Sequence, residues 1–167
     1  MDMFYDLVLR AKQNDKEAFL RLYEGVYKEL YQLAYYTLRN THDAEDVVSE
    51  TVIAAYESIG KLKKPESFKG WICKIAINKC NQKIRQYMKR ETTLSPDMEV
   101  KTTDSVLLSD IRSALGELDY EERMIVILHV LWGYKGEEIG KILHIKHSTI
   151  RSKYRRSLEK MKVKLQT

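Results

Sequence analysis

The side chains with the most chemistry to offer lie in the last third of the chain. Gly133 to Arg151 (GYKGEEIGKILHIKHSTIR) reads as a short polar helix, a tight corner and the start of a second helix, which stays strongly basic to Lys164. Arg151, Arg155 and Arg156 recur at helical spacing on the side away from the apolar positions. Arginine is the best single reader of guanine, and neighbouring cations meet phosphates. The pattern predicts a helix-turn-helix, which places one helix in a DNA major groove.

A second basic block precedes it. Lys61 to Arg90 carries ten Lys or Arg against one acid, Glu66, and Arg151 to Lys164 carries seven against one, Glu159. Between Glu91 and Asp104 the balance reverses to four acids and one lysine. Two basic blocks joined by an acidic spacer, in a chain of net charge +5, suggest two sites on one polyanion.

Catalytic constellations are missing from the sequence. It has no Gly-rich phosphate loop, no His-Glu-x-x-His and no Ser nucleophile elbow. His42, His129, His144 and His147 do not cluster with acids at ligand spacing, so no metal site is expected. Cys73 and Cys80 stand seven apart, which is neither a metal nor a redox spacing, and read as small core residues. Asp46 and Glu50, one helical turn apart, could hold a cation or do acid–base work, but no pocket residues surround them. No cofactor and no enzymatic activity are expected.

The elements that must position these groups are helical. With 7 Gly and 2 Pro in 167 residues, and no Asn-Gly or Asp-Gly, the sequence argues against an all-β fold. Residues 3–39 read as two helices broken at Asn14-Asp15, with Asp15 capping the second. The tyrosines there (Tyr23, Tyr27, Tyr31, Tyr35, Tyr36) fit packing at the core and its edge better than a stacking surface. Asp43 to Ile59 is the clearest helix, with Asp43 as its N-cap and Ala44, Val47, Val48, Thr51, Val52, Ala55, Tyr56 and Ile59 on one face. Asp46, Glu50 and Glu57 fall on another side with Ile53 and Ala54, as either a solvated face or a dock for a basic partner. A basic loop, Lys61 to Ser67, leads into a helix from Phe68 to Arg90, which Ser67 could cap. Its second half is polar and basic and faces solvent or a ligand.

Glu91 to Thr103, with Pro96 and four Thr, reads as the linker. A helix from Asp104 to about Leu118 follows, then one opened by the capping box Asp119-x-x-Glu122. In the helix-turn-helix, Ile139, Ile142, Leu143 and Ile145 are expected to pack on Ile150, Tyr154, Leu158 and Met161. The fold class is all-α: two small helical domains joined by a flexible linker, the second ending in a helix-turn-helix. The boundaries are 1–90, 91–103 and 104–167.

The order of motifs carries a resemblance. An acidic helix beginning DAEDVVSET (43–51), a basic loop, FKGWICKIAIN (68–78), a linker, the Leu115-x-x-Leu118 helix and the helix-turn-helix together resemble the small bacterial sigma factors of the extracytoplasmic-function type. The likeness covers about Asp6 to Leu165. It implies that the first domain binds the clamp helices of the RNA polymerase β′ subunit through Asp46, Ser49 and Glu50, with Ile53 beside them. It implies −10 element contacts at Lys61, Lys63, Lys64, Asn78, Lys79 and Arg85, where an extruded base is held. It also implies −35 contacts at Ser148, Thr149, Arg151, Ser152, Arg155 and Arg156, a touch on the β flap, and restraint by an anti-sigma protein.

The chain departs from the family's usual residues at Ser49, Tyr56 and Gln82. Gly140 stands for a common Ala, and His144 for a common Gly where a left-handed backbone is wanted. Lys146 stands for a capping Ser or Thr, so a later start of the recognition helix is expected. The alternative function is a stand-alone helix-turn-helix regulator acting as a dimer. The basic half of the 68–90 helix argues against it. Nothing resembles a signal peptide or a membrane span, so a cytoplasmic protein with no direct membrane insertion is expected.

Overall fold

The computed structural model describes residues 3–90 and 106–167, with the side chains of 106–108 left aside. The linker expected at 91–103 lies outside the described residues. Among them every regular element is a helix: α1 (Met3–Lys12), α2 (Lys16–Leu38), α3 (Thr41–Ser58), α4 (Phe68–Lys89), α5 (Val106–Gly116), α6 (Tyr120–Val130), α7 (Gly136–Leu143) and α8 (His147–Gln166). They form two compact units. The first holds α1, α2 to Ala34, and His42 through α4; the second holds Tyr35–Thr41 and α5 through α8.

In the first unit, local signals set the helix boundaries. Asn14 takes a positive φ of 69°, and Asp15 Oδ1 accepts the Ala18 amide at 3.1 Å, so the predicted break and cap are both present. Two expected caps are corrected. The third helix starts at Thr41, ahead of Asp43, because Arg39 at φ 58° has already turned the chain out of α2. Ser67 accepts no helix amide; its Oγ donates to the Lys64 carbonyl at 2.7 Å, and the Pro65–Ser67 turn delivers the chain into α4. The core combines Val8, Leu22, Val26, Leu30, Leu33, Val47, Val48, Ala55, Phe68, Ile72 and Ile77, each worth roughly 1.5–3 kcal/mol if large and fully buried. Cys73 and Cys80 are buried and form no disulfide.

The second unit is built around α8, which packs on α5, α6 and α7. The Asp119 capping box is complete: Asp119 Oδ1 accepts the Glu122 amide at 2.8 Å and Glu122 Oε2 accepts the Asp119 amide at 3.0 Å. The corner of the helix-turn-helix is tight. His144 adopts the left-handed conformation at φ 57° and ψ 43°, and the amides of His144 and Ile145 both point at the Gly140 carbonyl. A Cβ at Gly140 would sit 2.7 Å from the Ile145 oxygen. The recognition helix is not delayed. It starts at His147, since Lys146 is extended and its carbonyl accepts the Ile150 amide at 3.0 Å without any side-chain cap.

The seam differs from expectation at one position. Ile139 and Ile150 are buried, and Tyr154 and Met161 half-buried, but Leu158 is 41% exposed, and Ser157 takes the buried place. Its hydroxyl returns to the Lys153 carbonyl at 2.7 Å. Steps of four, three and four residues keep 150, 154, 157 and 161 on one stripe, and a small residue lets the helices close.

Candidate nucleic-acid and protein interfaces

Three exposed surfaces carry the residues singled out by sequence. The first is one face of α3. Asp46, Ser49, Glu50, Ile53 and Glu57 share a stripe at helical spacing. Ser49, Glu50 and Glu57 are exposed, and Ile53 keeps 57% of its surface in solvent. An uncovered isoleucine between carboxylates is suited to a partner offering both cations and apolar surface.

Asp46 differs from its neighbours. Its Oδ2 lies 3.2 Å from Lys83 Nζ of α4 and 3.4 Å from His42 Nδ1. His42 is held above its ordinary pKa, first by a backbone hydrogen bond and then by the Asp46 charge. Burial pushes the Asp43 carboxyl up. Ligand atoms of His42, Asp43 and Asp46 come within 4.8 Å of one another, which corrects the reading that no histidine clusters with acids. The spacing was there to see, since His42 and Asp46 stand one turn apart. Lys83 already supplies a cation to Asp46.

The second surface joins the loop before α4 to the outer side of α4. Ile59, Leu62 and Pro65 anchor the loop by burial, which leaves Lys61, Lys63 and Lys64 exposed between them. On α4, the buried residues Ile72, Cys73, Ala76 and Cys80 define an inner face, and Lys74, Asn78, Arg85 and Lys89 are exposed on the opposite stripe. Lys79 lies half-buried on the flank. Ile77 and Cys80 show that the inner face continues further along the helix than the polar sequence suggested. Tyr23, Tyr27 and Tyr31 run along α2 in ring contact at 5.6 and 6.2 Å, and Tyr27 is 43% exposed.

The third surface is α8. Ser148, Arg151, Ser152, Arg155 and Arg156 are exposed and Thr149 is half-buried. Ser148, Arg151, Ser152 and Arg155 line a shallow depression of about 320 Å³. Arg151 and Arg155 have no ion pair among the described residues, so their forks remain available. Sequence reasoning singled out these arginines but did not show what the lysines of the same helix do. Lys153, Lys160 and Lys164 bind Glu121, Glu122 and Glu117 of the same unit. No described helix is long and apolar enough to cross a membrane.

Comparison with known proteins places both units. Residues 22–90 match the family model for sigma-70 region 2, and residues 108–161 match that for sigma-70 region 4. The RNA polymerase sigma factor SigV of Bacillus subtilis is 27% identical over 160 residues, spanning 94% of this chain and 96% of that one. The ECF RNA polymerase sigma factor SigE of Mycolicibacterium smegmatis is 32% identical over 144 residues, spanning 80% of this chain and 56% of that one. Among solved structures, CnrH in complex with the cytosolic domain of CnrY superposes with a TM-score of 0.72 at 23% identity, over 99% of this chain and 98% of that one. The sigma factor RpoE of Bartonella quintana, in complex with the anti-sigma factor NepR, gives 0.74 at 22% identity over 89% and 97%. At those identities the structural likeness speaks to the fold.

Proposed function

The chain belongs to the sigma-70 factors of the extracytoplasmic-function type, and from that membership we propose how its three surfaces share the work of promoter-specific initiation. A sigma factor binds core RNA polymerase and directs it to promoters; it acts by binding, and the polymerase carries out the chemistry. The reading rests on region 2 and region 4 matching in order on two separate helical units. A stand-alone dimeric regulator is not favoured, because region 2 occupies the place where such a protein would carry its effector domain.

The acidic face of α3 docks on the β′ clamp helices. Glu50 and Ser49 meet basic and polar groups there, Ile53 fills an apolar site, and Asp46 contributes its charge alongside Lys83. Lys61, Lys63 and Lys64 hold the backbone of the −10 element while Asn78, Lys79 and Arg85 line the path of the separated strand. Extruding a base costs a few kcal/mol of unstacking, which phosphate and base contacts offset. In the second unit, Arg151 and Arg155 read base edges of the −35 element from the major groove. Ser148, Thr149, Ser152 and Arg156 fix the register on the backbone. Residues 1–90 and 104–167 act as the two binding domains, with 91–103 between them. NepR is an anti-sigma factor bound to a protein of this fold, and we extend such a partner to this chain.

The test is reconstitution with core polymerase followed by transcription from a promoter library. Specific run-off products are the expected result. Tight binding to naked duplex with no association to core would overturn the reading. Asp46→Lys with Glu50→Lys should weaken core association by about tenfold or more, the size of two reversed interfacial charges.

A further inference from the structure

Helix α8 sorts its cations by side. Lys153, Lys160 and Lys164 stand at i, i+7 and i+11, one stripe of the helix, while Arg151 and Arg155 lie close to the opposite side. The lysine stripe is paired along its length. Lys153 Nζ binds Glu121 Oε1, Lys160 Nζ lies 2.8 Å from Glu122 Oε1, and Lys164 Nζ lies 3.4 Å from Glu117 Oε1. The three acids sit where α5 gives way to α6.

Glu122 is the node of this ladder. Its side chain is 9% exposed, and its two oxygens do different work: Oε2 closes the cap of α6 on the Asp119 amide, and Oε1 receives Lys160. A carboxylate that buried needs a cation as well as an amide, so Lys160 is tied to the start of α6. Lys153 is 26% exposed, and its ammonium is held above the ordinary lysine range, first by the hydrogen bond to Glu121. Long side chains anchored in this way are unavailable to a ligand on the far side of the helix.

We infer that Lys153, Lys160 and Lys164 are positioning residues that set the tilt of the recognition helix, and that they do not contact DNA phosphates. The inference rests on the reading of α8 as the −35 helix. Of the seven Lys and Arg between 151 and 164, three therefore contribute nothing to counterion release. Their effect on DNA is indirect: they hold Arg151 and Arg155 at the angle the groove requires.

The experiment uses holoenzyme reconstituted with core polymerase and a promoter duplex recovered by selection from a randomised library. Affinity is measured against salt, on the intact duplex and on one with a scrambled −35 element. Arg156→Ala, which removes a backbone contact, should lower the slope of log affinity on log salt by about 1. Lys160→Met and Lys153→Met should leave the slope unchanged and reduce the preference for the intact −35 element by about fivefold, the order of one ion pair. Lys160→Arg should match wild type on both counts. Exchanging the Lys153 and Glu121 charges (K153E with E121K) should restore the preference lost in K153E. A fall in slope for Lys160→Met or Lys153→Met equal to that of Arg156→Ala would overturn the inference. If Arg156→Ala also left the slope unchanged, the −35 reading itself would fail, a result distinct from the first.

Discussion

Lys83 Nζ lies 3.2 Å from Asp46 Oδ2 across a sequence separation of 37, joining the helix with the acidic face to the helix with the basic stripe. Lys83 is 17% exposed and Asp46 41%, so the pair is partly shielded but still hydrated. Such a pair is worth up to about 1 kcal/mol. Lys83→Met should therefore lower Tm by no more than about 4–8 °C, measured by calorimetry. Core association should not weaken, because Asp46 then keeps only its contact with His42 and offers more of its charge to a cation of the partner. A stable variant that binds core less well would show that Lys83 itself touches the polymerase.

The Lys83–Asp46 pair also marks the limit of what the chain discloses in one dimension. Helices with strong local punctuation were legible: Asn14-Asp15 breaks the first two and Asp119-x-x-Glu122 opens α6, both through hydrogen bonds within three residues. The exposed stripe of α3 followed from helical period alone. Contacts over long separations were not legible. Nothing near Lys83 distinguishes it from Lys79, and nothing near Lys160 distinguishes it from Lys162; only packing decides which ammonium meets a carboxylate. Asp43 looked like a cap because its residue type is favoured there, but the turn at Arg39 had already started the helix.

Asp15 gives the first unit an acid-sensitive joint. Its carboxylate is held below the usual range, first by the Ala18 amide and then by Arg10, whose Nη2 lies 2.8 Å from Oδ2. A depressed folded pKa stabilises the fold fully above the unfolded value of about 3.9, and that contribution fades as pH falls through the lower folded value. Asp15→Asn should flatten the acid limb of stability against pH. Urea midpoints followed downward from about pH 5 check this. An unchanged acid limb would mean that Asp15 carries no linkage.

The corner of the helix-turn-helix stores strain at His144 and tightness at Gly140. A non-glycine residue held left-handed costs about 1–2 kcal/mol, and glycine avoids most of that cost. His144→Gly should raise stability by about 1 kcal/mol, read from the denaturant midpoint at constant m. Gly140→Ala should act the other way, because its methyl would press on the Ile145 carbonyl oxygen at 2.7 Å. Backbone cannot rotate aside as a side chain can, so the cost should be about 1–3 kcal/mol. An Ala at 140 that left the midpoint unchanged would show that the corner can open without loss.

Ser157 is the small residue on which α8 closes, fully buried with its hydroxyl on the Lys153 carbonyl. That hydroxyl bond is local to the helix, so Ser157→Ala removes donor and bond together and leaves no orphaned donor. The Lys153 carbonyl keeps its role in the helix, and the change should stay within about 1 kcal/mol. Ser157→Leu is different. It adds volume at a filled contact between helices and should cost about 1–3 kcal/mol or more. The helix would relieve the overlap by lifting from α5 and α6, tilting Arg151 and Arg155 with it. Ser157→Leu should therefore lose −35 preference in holoenzyme while keeping core association through α3, whereas Ser157→Ala keeps both. Binding assays on intact and scrambled −35 elements separate the two. Equal −35 preference in Leu and Ala variants would show that the seam tolerates bulk and that helix tilt does not set recognition.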